Sequence, residues 1–261
     1  MCQLLGMNCN VPTDICFSFK GFCERGGTTD EHKDGWGIAF FEDKGCRSFL
    51  DPHPSTHSTV SSLVKNYPIK SCNVISHIRK ATFGEVTLEN THPFTRELWG
   101  QYWVFAHNGD LKSFQPNLQG NYLPVGATDS EQAFCLILEQ LKQRFPNKPT
   151  PQEIADELQN TADRIATHGI FNFLLSNGEC LFAYCTTKLS YLVRQYPFSK
   201  AQLKDRDIEL DFSKIAGHDD RVAVIATEPL TTNETWTAFP IGKVLIFQGG
   251  LVINNNQPAS R

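Results

Sequence analysis

No excess of positive charge, no long apolar run and no paired cysteine framework occurs in this chain of 261 residues, and each absence excludes a class of function. Lys plus Arg number 24 against 28 Asp plus Glu, giving a formal charge of −4 and a pI near 6.1. Binding nucleic acid by neutralising phosphates needs a basic face, so no nucleic-acid partner is expected. No stretch approaches the ~20 consecutive apolar residues that cross a bilayer. The amino terminus, MCQLLGMNCN, has no basic region followed by an apolar one, so a cytoplasmic protein without signal peptide or membrane partner is expected. Nine cysteines without a C-x-x-C pair read as free thiols in a reducing compartment. Cys2, Cys9, Cys16 and Cys23 recur every seven residues. Paired metal ligands favour spacings of about two to four, so the sequence implies no metal, and no organic cofactor either. Internal repeats, low-complexity tracts and Gly/Ser linkers are also missing, which favours one domain over residues 1–261.

What is present is 40% hydrophobic and 11% aromatic, ample for a core. Thr128-Asp-Ser-Glu131 is a capping box, followed by Phe134, Ile137, Leu138, Leu141 and Phe145 at helical spacing. Thr150-Pro-Gln-Glu153 starts a second helix, and the short Pro-Asn-Lys-Pro turn between them predicts antiparallel packing. A third helix is expected from Thr13 to Glu24, ended by Gly26-Gly27. Strands are expected at Gln3 to Gly6, Trp36 to Phe41, Val74 to Ile78, Tyr102 to Ala106, Ile170 to Leu175, Cys180 to Cys185, Leu192 to Arg194, Val222 to Ala226 and Val244 to Phe247. Ser176-Asn-Gly-Glu179 closes a hairpin between two of them. Many antiparallel strands with the helices gathered in one block give an α+β class. The charged stretch from Pro197 to Arg221 reads as a long surface excursion, with a partner-binding loop as the alternative.

Chemistry starts at position 2. Removal of Met1 leaves Cys2 with both a thiol and a free α-amine, and an amine of pKa about 7.7–8.0 can take the thiol proton near neutrality. Arg79, emerging at the end of an apolar strand, is placed to grip a carboxylate. In Phe105-Ala-His-Asn-Gly-Asp110, Asn108 and Gly109 are expected where the strand ends and turns. Side by side, an Asn side-chain N–H and a Gly backbone N–H can bind an oxyanion, one such donor being worth about 2.7–4 kcal/mol. Read locally, the same dipeptide is an ordinary turn. Asp129 suits an ammonium, or simply complements the helix dipole. His92, beside Pro93, and His107 are read as structural.

In their order along the chain, Met1-Cys2, His32-Lys-Asp-Gly-Trp-Gly37, Arg79-Lys-Ala-Thr-Phe-Gly84, Asn90-Thr-His-Pro93, His107-Asn-Gly109, Thr128-Asp-Ser-Glu131 and Ala226-Thr-Glu-Pro229 resemble the class II glutamine amidotransferases, closest to their small stand-alone branch. The resemblance implies a four-layer αββα sandwich of the amino-terminal nucleophile hydrolase type. It implies Cys2 as nucleophile toward a γ-carboxamide, Asn108 and Gly109 as oxyanion donors, Arg79 on the α-carboxylate, Asp129 on the α-ammonium and Thr82 lining the pocket. Asp34 and Trp36 fall in a supporting turn. Lys80 and Phe83 depart from the Trp and His common in the large biosynthetic members. The implied substrate is glutamine or a γ-glutamyl small molecule, with ammonia passing to an acceptor enzyme or to solvent. A γ-glutamyl amidohydrolase acting on a peptide or thiol metabolite, a Cys-His hydrolase using His107 or His92, and a non-catalytic glutamine-binding subunit are the alternatives.

Overall fold

The structure is a computed structural model that describes residues 2–81 and 84–253. In chain order, the first half contains β1 (Gln3–Thr13), α1 (Cys16–Glu24), β2 (Trp36–Glu42), β3 (Gly45–Asp51), α2 (Thr59–Asn66), β4 (Ser71–Ile78), β5 (Phe94–Leu98) and β6 (Gln101–Leu111). Next come α3 (Asp129–Arg144), α4 (Pro151–Ala166), β7 (Gly169–Ser176), β8 (Leu181–Tyr184) and β9 (Ser190–Gln195). The remainder is β10 (Lys200–Gln202), β11 (Glu209–Asp211), β12 (Arg221–Ala226), β13 (Thr237–Ala238), β14 (Val244–Gln248) and β15 (Leu251–Ile253). One antiparallel sheet runs β13-β9-β12-β1-β4-β2-β3 and a second runs β15-β14-β8-β7-β6-β5.

The period of two along each strand sorts side chains into layers. On β1, Leu5, Met7 and Cys9 join Phe19, Phe22 and Cys23 of α1 in a core beneath α1 and α2. Leu4, one residue out of step, belongs to a different core between the sheets, with Ala39, Ile75, Leu174, Leu181 and Phe247. On β6, Trp103 and Phe105 face α3 and α4, where Phe105 stacks on Phe134 at 5.1 Å, while Val104 and Ala106 face the other sheet. Helices, sheet, sheet, helices: the four-layer αββα sandwich follows from three cores on two alternating faces. Gly6 lets the sheets approach, since a Cβ there would stand 3.0 Å from Leu174 Cδ1.

All nine expected strands and the hairpin at Ser176–Glu179 are present, some with different bounds. Thr13 is not helical. β1 runs past Gly6 through an irregular register between Asn8 and Thr13, and α1 begins only at Cys16, whose N–H is taken by Asp14 Oδ1. The capping box of α4 is complete, but that of α3 is half made. Thr128 Oγ1 accepts the Glu131 N–H, whereas the Glu131 carboxylate turns away to the N–H groups of Val125 and Gly126 and to Arg96. The stretch from Pro197 to Arg221 is more than a surface excursion: it carries β10 and β11, buries Ala201 and Leu203, and sets Leu203 against Gly21 of α1.

Candidate active site

Strand register assembles one end of the inter-sheet layer. β1 and β4 are antiparallel with Gln3 opposite Ile78, so the start of β1 meets the end of β4. Cys2 precedes β1 in step with the inward-facing Leu4, and Arg79 follows β4 in step with the inward-facing Ile75. The Cys2 thiol sits against the backbone of Lys80, accepting its N–H at 3.3 Å and donating to its carbonyl at 3.4 Å. Burial pushes the thiol above its ordinary pKa, and the Lys80 N–H and the Arg79 charge oppose this while Asp129 reinforces it. Burial thus favours the neutral thiol over the thiolate.

The His32–Gly37 turn holds the Arg79 segment. Arg79 N–H donates to the Gly35 carbonyl, Asp34 N–H to the Arg79 carbonyl, and Ala81 N–H to Asp34 Oδ2 at 2.7 Å. Gly35 has φ of +108°, a conformation in which glycine is needed. The Arg79 guanidinium, 3% exposed, donates to the carbonyls of Glu85 and Gly84. Cys2, Asp34 and Asp129 all favour its charged form against the desolvation that lowers its pKa. Cys2, Arg79 and Asp129 therefore share one electrostatic neighbourhood.

Asn108 and Gly109 are not at a turn. Both lie inside β6, paired with Asn172 and Phe171 of β7, because β6 continues to Leu111 after β5 has ended. Successive N–H groups of a strand point to opposite edges. The Leu111 N–H goes to Asp129 Oδ2 at 2.8 Å and the Phe171 N–H goes to Thr186, both away from the β6–β7 ladder. The Gly109 N–H, two residues before Leu111, is directed to that same open edge beyond β5. A side chain is impossible at Gly109, since its Cβ would lie 1.8 Å from the Ile170 carbonyl oxygen.

Asn108 follows Val104 and Ala106 in facing the other sheet. Its Nδ2 lies 3.4 Å from Thr227 Oγ1, and Oδ1, fully buried, has no hydrogen-bond partner among the described residues. An unpaired buried acceptor costs about 1–3 kcal/mol, a sign that the amide is reserved for something else. The Asn108 carbonyl accepts from Asn172 Nδ2, whose other end takes the Thr186 and Thr187 N–H groups.

His107 points to the helix side. Its Nε2 donates to the Ile170 carbonyl at 3.1 Å, so Nδ1 accepts from the Ser130 hydroxyl at 2.8 Å and the ring is fully engaged as a neutral group. The rings of His92 and His77 lie 4.2 Å apart, tilted by 51°, and burial pushes both well below the ordinary histidine pKa. Among the described residues no imidazole hydrogen-bonds the Cys2 thiol. Met1, Thr82 and Phe83 lie outside the described residues. Sequence reasoning missed Thr227 and Asn172. Thr227 lay inside the Ala226–Pro229 segment already singled out, but its contact with Asn108 crosses between sheets, and no local pattern encodes that.

The pattern has relatives. The family model for "Glutamine amidotransferases class-II" matches residues 1–261. The chain is similar to YafJ of Escherichia coli (strain K12), 54% identical over 248 residues, 95% of this chain and 97% of that protein. It is similar to the crystal structure of a predicted glutamine amidotransferase from Pseudomonas aeruginosa PA01, with TM-score 0.78 and 44% identity, covering 97% of this chain and all of that one (100%). A glutamine phosphoribosylpyrophosphate amidotransferase from B. subtilis shares the fold at TM-score 0.61 and 15% identity, over 96% of this chain and 48% of that one. The whole-length family match and the identity to these relatives place the chain among the class II glutamine amidotransferases.

Proposed function

We propose that this chain hydrolyses the γ-carboxamide of glutamine through Cys2. The observation that carries the reading is the meeting of a half-buried thiol, a cation, a carboxylate and two amide donors at one end of the inter-sheet layer. With Met1 removed, the Cys2 α-amine takes the thiol proton and sulfur attacks the carbonyl carbon of the γ-carboxamide. A C–S bond forms and the carbonyl electron pair moves to oxygen, where Asn108 Nδ2 and the Gly109 N–H stabilise it. Collapse breaks the C–N bond, and the nitrogen leaves as ammonia with the proton the amine had taken. Water, deprotonated by the same amine, then cleaves the γ-glutamyl thioester to glutamate and restores the thiol.

Specificity rests on the amino-acid end. Arg79, oriented by two backbone carbonyls, pairs with the α-carboxylate, and Asp129, oriented by the Leu111 N–H, pairs with the α-ammonium. A ligand lacking either group leaves a charge unpaired, which discriminates strongly. Ammonia passes to an acceptor enzyme or to solvent. The test is the intact mass of the protein with and without a diazo-ketone analogue of glutamine, followed by peptide mapping. Loss of Met1 with one adduct on Cys2 is expected. Retained Met1 and no adduct, under conditions that label a known glutaminase, would sink the reading.

A further inference from the structure

We infer that Thr227 is the positioning residue that turns the Asn108 amide so that its N–H groups, and not its oxygen, face the nucleophile. The inference rests on the function proposed above and deepens it.

Thr227 follows β12 directly and extends the β1–β12 ladder by one rung. Its N–H donates to the Leu4 carbonyl at 3.1 Å, and the Leu4 N–H donates back to Thr227 Oγ1 at 2.9 Å. The hydroxyl thus accepts from one sheet, and it is buried, 3% exposed, so its own proton needs an acceptor nearby. Among the described residues Asn108, the end of whose amide lies 3.4 Å away on the opposite sheet, is the one side chain within hydrogen-bond distance of it. The two ends of a carboxamide have the same shape, and the surrounding hydrogen bonds decide which is which. With nitrogen toward Thr227, the oxygen lies buried and unpartnered, and an oxygen there would repel an oxyanion. With oxygen toward Thr227, the hydroxyl donates to it, the chain Leu4 N–H to Thr227 O–H to Asn108 C=O is satisfied throughout, and the amide NH2 faces away from Thr227. There the Gly109 N–H, on the open edge of β6, supplies the second donor.

Leu4 is two residues from Cys2, so this chain also fixes the donor relative to the nucleophile's own strand. Its effect is felt only when the carbonyl oxygen becomes an oxyanion, because the ground-state amide needs the donor less.

The experiment compares wild type, Thr227→Ser and Thr227→Val in a steady-state glutaminase assay, with melting temperature and diazo-ketone labelling of Cys2 followed in each. Valine keeps the shape and removes the hydroxyl. The expected result is a fall in kcat of about 10- to 100-fold for T227V with KM for glutamine within about twofold, and recovery to within about threefold of wild type in T227S. A T227V enzyme with wild-type kcat, or a T227S enzyme as slow as T227V, overturns the role. A wild-type enzyme with neither turnover nor labelling removes the proposed function itself, and the role with it. Should T227V fail to fold, the crystal structure of wild type carrying a tetrahedral aldehyde adduct on Cys2 decides. The adduct oxygen is expected within about 3.2 Å of one end of the Asn108 amide and Thr227 Oγ1 within about 3.2 Å of the other, and a Thr227 hydroxyl bonded elsewhere overturns the inference.

Discussion

The carboxylate of Asp129 accepts the N–H of Leu111 at 2.8 Å, so the first residue of α3 holds the last residue of β6. One oxygen is committed to that bond, while Oδ1 takes the Ser130 N–H at 2.8 Å, and the remaining lone pairs are available to a cation. Asp129→Asn keeps an oxygen for Leu111 but loses the charge. The expected outcome is a KM for glutamine raised by about 10- to 100-fold with melting within a few degrees of wild type. Steady-state kinetics beside a thermal melt checks it, and an unchanged KM would deny Asp129 its ammonium.

Burial raises the Cys2 pKa, so in the resting enzyme thiolate appears only above the ordinary thiol range. Alkylation of Cys2 by iodoacetamide is expected to be slow at neutral pH and to climb through the alkaline range. Removing the Arg79 charge, as in Arg79→Met, is expected to move the climb further up, because that charge favours the thiolate. A profile already flat at pH 7 would contradict this.

Gly109→Ala brings a methyl onto the Ile170 carbonyl and forces β6 from β7. Overpacking of this kind costs about 1–3 kcal/mol, and more where backbone must move. A lowered urea midpoint together with loss of turnover is the expected result. A variant as stable as wild type would show that the ladder yields more easily than its register implies.

His77 and His92 are buried, and among the described residues their ring nitrogens have no hydrogen-bond partner. Their folded-state pKa values are lowered, so as pH falls below about 6.5 the unfolded chain takes up protons that the folded one refuses. Stability is therefore full above that pH and falls below it, by up to about 1.4 kcal/mol per pH unit for each histidine. Urea unfolding between pH 5 and 7 is expected to show a shallower slope in His92→Leu than in wild type, and equal slopes would refute the assignment.

Legibility in the sequence followed the range of the interactions. α3 and α4 could be read because their N-cap residues and apolar stripes are local, and β6 because of its Trp-Val-Phe run. α2, capped by Ser58, and the strands β3 and β5 went unread, since exposed polar residues interrupt their patterns. At the site, Cys2, Arg79 and Asp129 were visible as residues, but Asn108 and Gly109 were placed at a turn. Asn-Gly carries a strong local turn preference, and only pairing with β7, brought from over sixty residues away, overrides it.

Two glutamates of α3, one at each end of a two-turn span, hold the preceding loop by its backbone. Glu131 takes the N–H groups of Val125 and Gly126, and Glu139 those of Gln119, Asn121 and Tyr122. Since Asp129 opens the same helix and Ala127 is tied to Asn90, helix, loop and the Asp129 carboxylate behave as a single casting. Reshaping this side cannot proceed by tilting the helix without dragging Asp129 along. The freedom to diversify lies instead in side chains on the casting's outer skin, such as the exposed Leu123 and Val125, which can be exchanged while Asp129 stays in place.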